Sequence, residues 1–204
     1  MRMTSLIAAM SLTALVACTK LSDDRADSAH LADSLKAAPP APSTPTAAMP
    51  LTDANIVALL DEANMADSAS GTLATTKGTK ADVRAFGVLM MRDHHALRVA
   101  GLDLANKLNL TPTPPANDSL PGKVKTAQDH LASMDKGPAW DKAYIDGEVA
   151  AHQTVLGLID TAQAAAQAQE LKALLTKARP TVEMHLKRAQ EIQSKLGADT
   201  TKKT

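Results

Sequence analysis

The sequence predicts an all-α protein: an up-down-up-down four-helix bundle with a short extra helix in the connection between the second and third long helices. Three observations carry this. Apolar residues recur at alternating spacings of three and four along four long segments, the period of one helix face. Phe86, Trp140 and Tyr144 are the only aromatic residues among 204, so Leu, Ile, Val, Met and Ala must fill the core, a composition suited to close-packed helices and poor for strands. Breakers fall between the segments, at Gly78, in the stretch 109–121 with its four prolines, and at Gly137-Pro138.

The first long helix is expected over about Asp53–Thr76, with Thr52 as N-cap and Gly78 as the stop. The second is expected over about Lys80–Leu108, opened by Thr79 and Asp82 in capping-box spacing. Its stripe runs Val83, Phe86, Met90, His94, Leu97, Gly101, Leu104, Leu108. His94 is on that stripe; His95 lies about 100° round the helix, at its edge. A short helix on Val124, Ala127 and Leu131 follows over Gly122–Met134. The third long helix begins near Ala139 and carries Ile145, Val149, His152, Leu156 and Ile159. The fourth, Gln169–Leu196, carries Leu171, Leu175, Ala178, Val182, His185, Ala189 and Ile192, with a kink expected at Pro180. Residues 51–197 thus form the folded domain, and 198–204 an expected disordered tail.

Ahead of the domain, residues 1–17 read as a secretory signal: Arg2, then an apolar run too short for a comfortable membrane span. Its end, Leu15-Val16-Ala17-Cys18, resembles a bacterial lipobox and uses the only cysteine, so Cys18 is expected to be lipidated and to tie the protein to a membrane. An ordinary signal peptide cut at a small residue is the alternative. Thr19, in place of the Asp that retains lipoproteins at the inner membrane of enteric bacteria, favours the outer membrane of a Gram-negative cell and a periplasmic location. Residues 18–50 then read as a Pro/Ala-rich tether too polar to fold. Basic and acidic residues number 22 each and no long basic run lies outside the tails, so nucleic acid is not an expected partner.

One constellation stands out. In an up-down-up-down bundle the turns near Gly78 and Ala168 share an end, and His94, His152 and His185 each lie about 16 or 17 residues from it. At about 1.5 Å per residue all three sit roughly 24–26 Å down the bundle. Three neutral imidazoles from three helices suit a single zinc or copper ion. Glu62, by depth, or Asp67, by stripe, could complete the set, while Asp93, Glu148 and Glu183 could hold the outer ring nitrogens. The other reading makes these histidines register-fixing core residues, each satisfied by a carboxylate or carbonyl. Met90 and Met184 could add thioether ligands for Cu(I), or simply fill the core.

Four motifs, Asn64-Met65-Ala66-Asp67, Met90-Met91-Arg92-Asp93-His94, Trp140-Asp141-Lys142-Ala143-Tyr144 with His152, and Arg179-Pro180 with His185-Leu186, occur in this order. As a set they resemble the bacterial domain of unknown function 4142 family, over about residues 52–196. The resemblance implies a ferritin-like fold, export from the cytoplasm and histidines at positions 94, 152 and 185, and implies no activity. The chain departs from the family pattern at Asp67, where Glu is common, and at Trp140, where Phe is common.

No Glu-x-x-His pair is present, so no di-iron centre is expected. No Gly-rich phosphate loop or evident nucleophile is present either. The expected function is a non-enzymatic, lipid-anchored envelope module that binds another envelope protein or serves in stress tolerance; the alternative is a mononuclear zinc- or copper-binding bundle.

Overall fold

The structure, a computed structural model, describes residues 51–201, with side chains through residue 198. The leader, Cys18, the tether and residues 202–204 lie outside the described residues. Among the described residues there are five α helices and no strand: α1 Asp53–Lys77, α2 Ala81–Lys107, α3 Leu120–Ser133, α4 Pro138–Ala165 and α5 Gln169–Thr201. None is long and apolar enough to cross a membrane.

The helix ends show how local chemistry and tertiary contacts share the work. Thr52 caps α1 as expected: its hydroxyl accepts the Asn55 N–H at 3.2 Å and Asn55 Oδ1 accepts the Thr52 N–H at 3.0 Å, a reciprocal box with Asn in the place of Glu. The expected Thr79/Asp82 box at α2 does not form. Lys80 is the N-cap and makes no side-chain cap. Asp141 of α4 takes that part instead, accepting the backbone N–H groups of Thr79 at 2.8 Å and Lys80 at 2.9 Å and the Thr79 hydroxyl. A fully buried carboxylate from another helix reaches the α2 N-terminus, where the helix dipole favours negative charge. Asp82, freed from capping, pairs with Lys195 at 2.8 Å on α5.

The last helix also departs from expectation. Pro180 lies inside it as expected, but the helix continues past Gly197 to Thr201, so residues 198–201 are helical where a disordered tail was expected. No described glycine lies in the left-handed region of φ. A helical glycine costs only about 0.5–1 kcal/mol relative to Ala, which weakens a helix without ending it while Ile192 and Leu196 remain packed.

Hydrogen-bonded partners fix the helix directions. On α1 and α2, Asp61 meets Arg98 and Asn64 meets His94, so the two are antiparallel. On α4 and α5, Asp146 meets Gln193 and Asp160 meets Arg179, again antiparallel. Asp82 with Lys195 and Asp93 with His185 make α2 and α5 antiparallel. At one end Asp53 accepts the N–H groups of Gln167 and Ala168, just after α4; at the other the Gly78 turn meets Asp141, near its start. Hence α4 runs antiparallel to α1 and parallel to α2. The order is up-down-down-up, which corrects the expected up-down-up-down: the Gly78 turn and Ala168 lie at opposite ends.

The connection after α2 makes this direction possible. Thr113 pairs with Ala54 and Asn55 at the far end, and α3 then climbs beside α1, with Gln128 on the Ala66 carbonyl. At the top, Lys77 donates to the carbonyls of Leu131, Ala132 and Met134, and Trp140 Nε1 donates to Leu131 at 2.8 Å.

Two apolar clusters occupy the two ends. One gathers Phe86, Met90, Trp140, Tyr144, Ile145 and Ile192; the other gathers Ile56, Ala105, Ile159, Leu171, Leu175 and Val182. Beside the first cluster α1 and α2 approach closely, because Gly71 and Gly87 face each other. A Cβ on Gly71 would stand 2.6 Å from the Gly87 carbonyl oxygen, and one on Gly87 2.7 Å from the Gly71 oxygen. Gly87→Ala should therefore destabilise the protein by about 1–3 kcal/mol in urea melts, despite alanine's better helix propensity. Unchanged stability would show that the hairpin can open at no cost.

Candidate functional site

The zone between the two apolar clusters is polar and buried. On three helices the stripe passes through a histidine there: His94 between Met90 and Ala105 on α2, His152 between Ile145 and Ile159 on α4, His185 between Val182 and Ala189 on α5. All three are at least 98% buried. Their ring centroids lie 5.1 Å (His94–His185), 5.4 Å (His94–His152) and 5.4 Å (His152–His185) apart. One ring nitrogen of each falls within 4.8 Å of the others, close enough for the three to hold a metal ion.

The outer nitrogens are all engaged by groups that accept. His94 Nδ1 donates to Asn64 Oδ1 at 2.9 Å, His152 Nδ1 to the Glu148 backbone carbonyl at 2.9 Å, and His185 Nε2 to Asp93 Oδ2 at 3.0 Å. These bonds fix the tautomers. The remaining nitrogens, His94 Nε2, His152 Nε2 and His185 Nδ1, are buried without a hydrogen-bond partner. A neutral imidazole whose N–H is held on one side offers a lone pair on the other, the form in which histidine binds metals.

Burial keeps the rings neutral. It lowers the His94 pKa to about 3, helped by His152 and His185, and the His152 pKa to about 4 against the pull of the Glu148 carbonyl. His185 is lowered too, chiefly by burial and partly offset by Asp93. The carboxyls move the other way: burial raises Asp67 to about 7, and burial with Asp67 nearby raises Glu148 well above its usual value.

These shifts set opposite pH dependences. In the metal-free protein the unfolded chain protonates its histidines first, near the ordinary value of about 6.5. The stability that depends on neutral His94 and His152 is therefore present above about pH 6.5 and declines as the pH falls toward about 4 and then 3. The contribution of Asp67 is full below the ordinary carboxylate range and is lost as the pH rises through about 7. A ring-nitrogen NMR titration should find His94 and His152 still neutral at about pH 5. Protonation of either near 6.5 would contradict the closed environment described here.

The other anticipated residues separate. Asp67 lies 3.4 Å from His94 Nδ1 and belongs to a second buried group, with Glu148 and His152, whose ligand atoms fall within 4.8 Å of one another. Asp93 holds His185. Glu148 holds His152 through its backbone carbonyl, its carboxyl standing off at 3.5 Å. Glu62 does not join the histidines: its carboxyl faces Asp118. Glu183 is exposed and pairs with Arg179 at 3.0 Å. Met90 is buried core and Met184 is half-exposed. His95 is exposed, at the flank as anticipated.

Asn64 was not anticipated as a partner. Its signal was its place on α1 opposite His94 in the antiparallel register. An apolar cavity of about 40 Å³ adjoins His94, Asn64 and Asp67 between walls of Val57, Ile159 and Leu175. At roughly 10–15 Å³ for each water-sized body, it has room for about three or four.

Fold and site together define an all-helical protein with a buried layer of three histidines able to hold a metal ion. The profile of the family described as Domain of unknown function (DUF4142) matches residues 37–192, and the chain belongs to that family. No curated protein and no solved structure matches the chain.

Proposed function

We propose that this protein is a ferritin-like four-helix bundle of the cell envelope that binds one transition-metal ion, zinc or copper, through His94, His152 and His185. The observation that carries this reading is the pairing pattern: three outer nitrogens each fixed by an acceptor and three inner nitrogens without a partner. Structural histidines would be expected to use both nitrogens, because an unpaired buried polar atom costs about 1–3 kcal/mol. The single crossover between α2 and α4 suits a ferritin-like bundle, as does family membership. Three histidines would hold a zinc ion and leave it a coordination position for a water molecule or an exchanging ligand. Such a site fits sequestration or delivery of the ion.

The leader and Cys18 support a lipid-anchored location at the outer membrane, with residues 19–50 as the tether. Loss of lipid-precursor labelling in Cys18→Ala is the expected result, and retained labelling would remove the anchor.

Metal content tests the site. The protein, purified without a polyhistidine tag and exposed to Zn(II) or Cu(I), should retain about one equivalent on the histidines, lost in His94→Ala, His152→Ala and His185→Ala. Clearly sub-stoichiometric metal in the wild type would sink the metal reading and leave a helical module that binds another envelope component.

A further inference from the structure

A second group of donors lies directly behind the histidine layer. Asp67 of α1 and Glu148 of α4 bring carboxyl oxygens within 4.8 Å of each other and of a ring nitrogen of His152, and both residues are more than nine-tenths buried. Tyr144, one turn before Glu148 on the same face of α4, is also buried, and burial first, then the nearby Glu148 and Asp67 carboxyls, raise its phenol pKa. Its hydroxyl lies against the Glu148 carboxyl, yet neither that hydroxyl nor Glu148 Oε2 makes a hydrogen bond of good geometry.

The nearest donors are already used. His94 Nδ1, 3.4 Å from Asp67 Oδ2, is bonded to Asn64, and His152 Nδ1, 3.5 Å from Glu148 Oε2, is bonded to the Glu148 carbonyl. Among the described ion pairs, none brings Lys or Arg to either carboxyl. Yet buried carboxylates are paired, coordinated to a metal or neutralised.

The geometry points to a second cation site, in which the carboxylates of Asp67 and Glu148 and the hydroxyl of Tyr144 take a divalent cation that prefers oxygen ligands. Carboxylate and hydroxyl oxygens suit Mn(II) or a similarly hard ion, while the imidazole set on the other side of His152 suits zinc or copper. His152 then stands between the two ions, its Nε2 on the side of the histidine layer and its Nδ1 on the side of the carboxyls. Asp67 also borders the cavity next to His94. This site does not require the histidine layer to be filled, so each can fail without the other.

The test loads the full-length protein, without a polyhistidine tag, with Zn(II), removes the excess, titrates with Mn(II), and counts both metals while following free Mn(II) by its EPR signal. The expected result is about one equivalent of Mn(II) beyond the zinc. Glu148→Gln and Asp67→Asn, checked for unchanged helical circular dichroism, should weaken Mn(II) binding at least tenfold and keep the zinc; His185→Ala should lose zinc and keep Mn(II).

A wild-type protein that takes up neither Mn(II) nor a second zinc overturns the second site, whatever the variants do, and means that the carboxyl pair holds a proton instead. Mn(II) binding that survives both carboxyl variants overturns it as well. Zinc absent with Mn(II) bound would sink the histidine reading alone.

Discussion

Asp141→Ala should lower the stability of the folded protein by about 2–4 kcal/mol. The carboxylate is fully buried and accepts three hydrogen bonds, from the Thr79 and Lys80 backbone N–H groups and the Thr79 hydroxyl. Alanine leaves those donors without an acceptor at the start of α2, and each buried orphan costs about 1–3 kcal/mol before water relieves part of it. The favourable placement of negative charge at a helix N-terminus, about 0.3–1 kcal/mol, is lost too. Urea melts measure the sum directly. Asp141→Asn keeps one acceptor oxygen and should lose less. A loss below about 0.5 kcal/mol for alanine would mean that solvent caps α2 equally well.

Zinc added to the metal-free protein should raise the melting temperature by about 5–10 °C at saturation. A ligand that binds only the folded state contributes about 2.7 kcal/mol at a hundred times its dissociation constant, and a domain of this size gains about 2–4 °C per kcal/mol. His94→Ala, His152→Ala and His185→Ala should each abolish the shift. Without metal the same variants should cost only about 1–3 kcal/mol, the price of a cavity and a released partner. The released partner differs: Asn64 for His94, and for His185 an Asp93 that Arg92 still holds at 2.6 Å. His185→Ala should therefore be the mildest of the three without metal. Equal shifts in wild type and variants would place the zinc elsewhere.

The histidine layer was legible because a stripe of period three and four is a local property, and His94, His152 and His185 each sit on one. Helix direction was not. It depends on where the connection of residues 108–137 delivers the chain, and that stretch, extended to Thr113 and helical in α3, is long enough to return to the Gly78 end. The three depths nevertheless coincide, because His152 lies near the middle of α4 and is almost equally far from either end.

Glu62 shows the limit of that argument: depth along an axis says nothing about rotation round it, and this side chain turns toward Asp118. Glu183, two residues from His185, points about 200° away round α5 for the same reason. Asn64 and Asp141 were read only as parts of family motifs, since their tasks are set by neighbours distant in sequence. α5 outruns its expected end at Leu196 because the packing of Ile192 and Leu196 outweighs the intrinsic cost of Gly197.

The crossover has a kinetic consequence. It divides the fold into two hairpins, α1–α2 and α4–α5, each joined by a turn of only three residues and so quick to form from local contacts. The slow event is their docking. His94 belongs to the first hairpin and His152 and His185 to the second, so the three imidazoles come together only after that event. An ion held among them would act as a clasp across the seam, with little influence on how fast either hairpin forms and a large one on how long the docked state lasts.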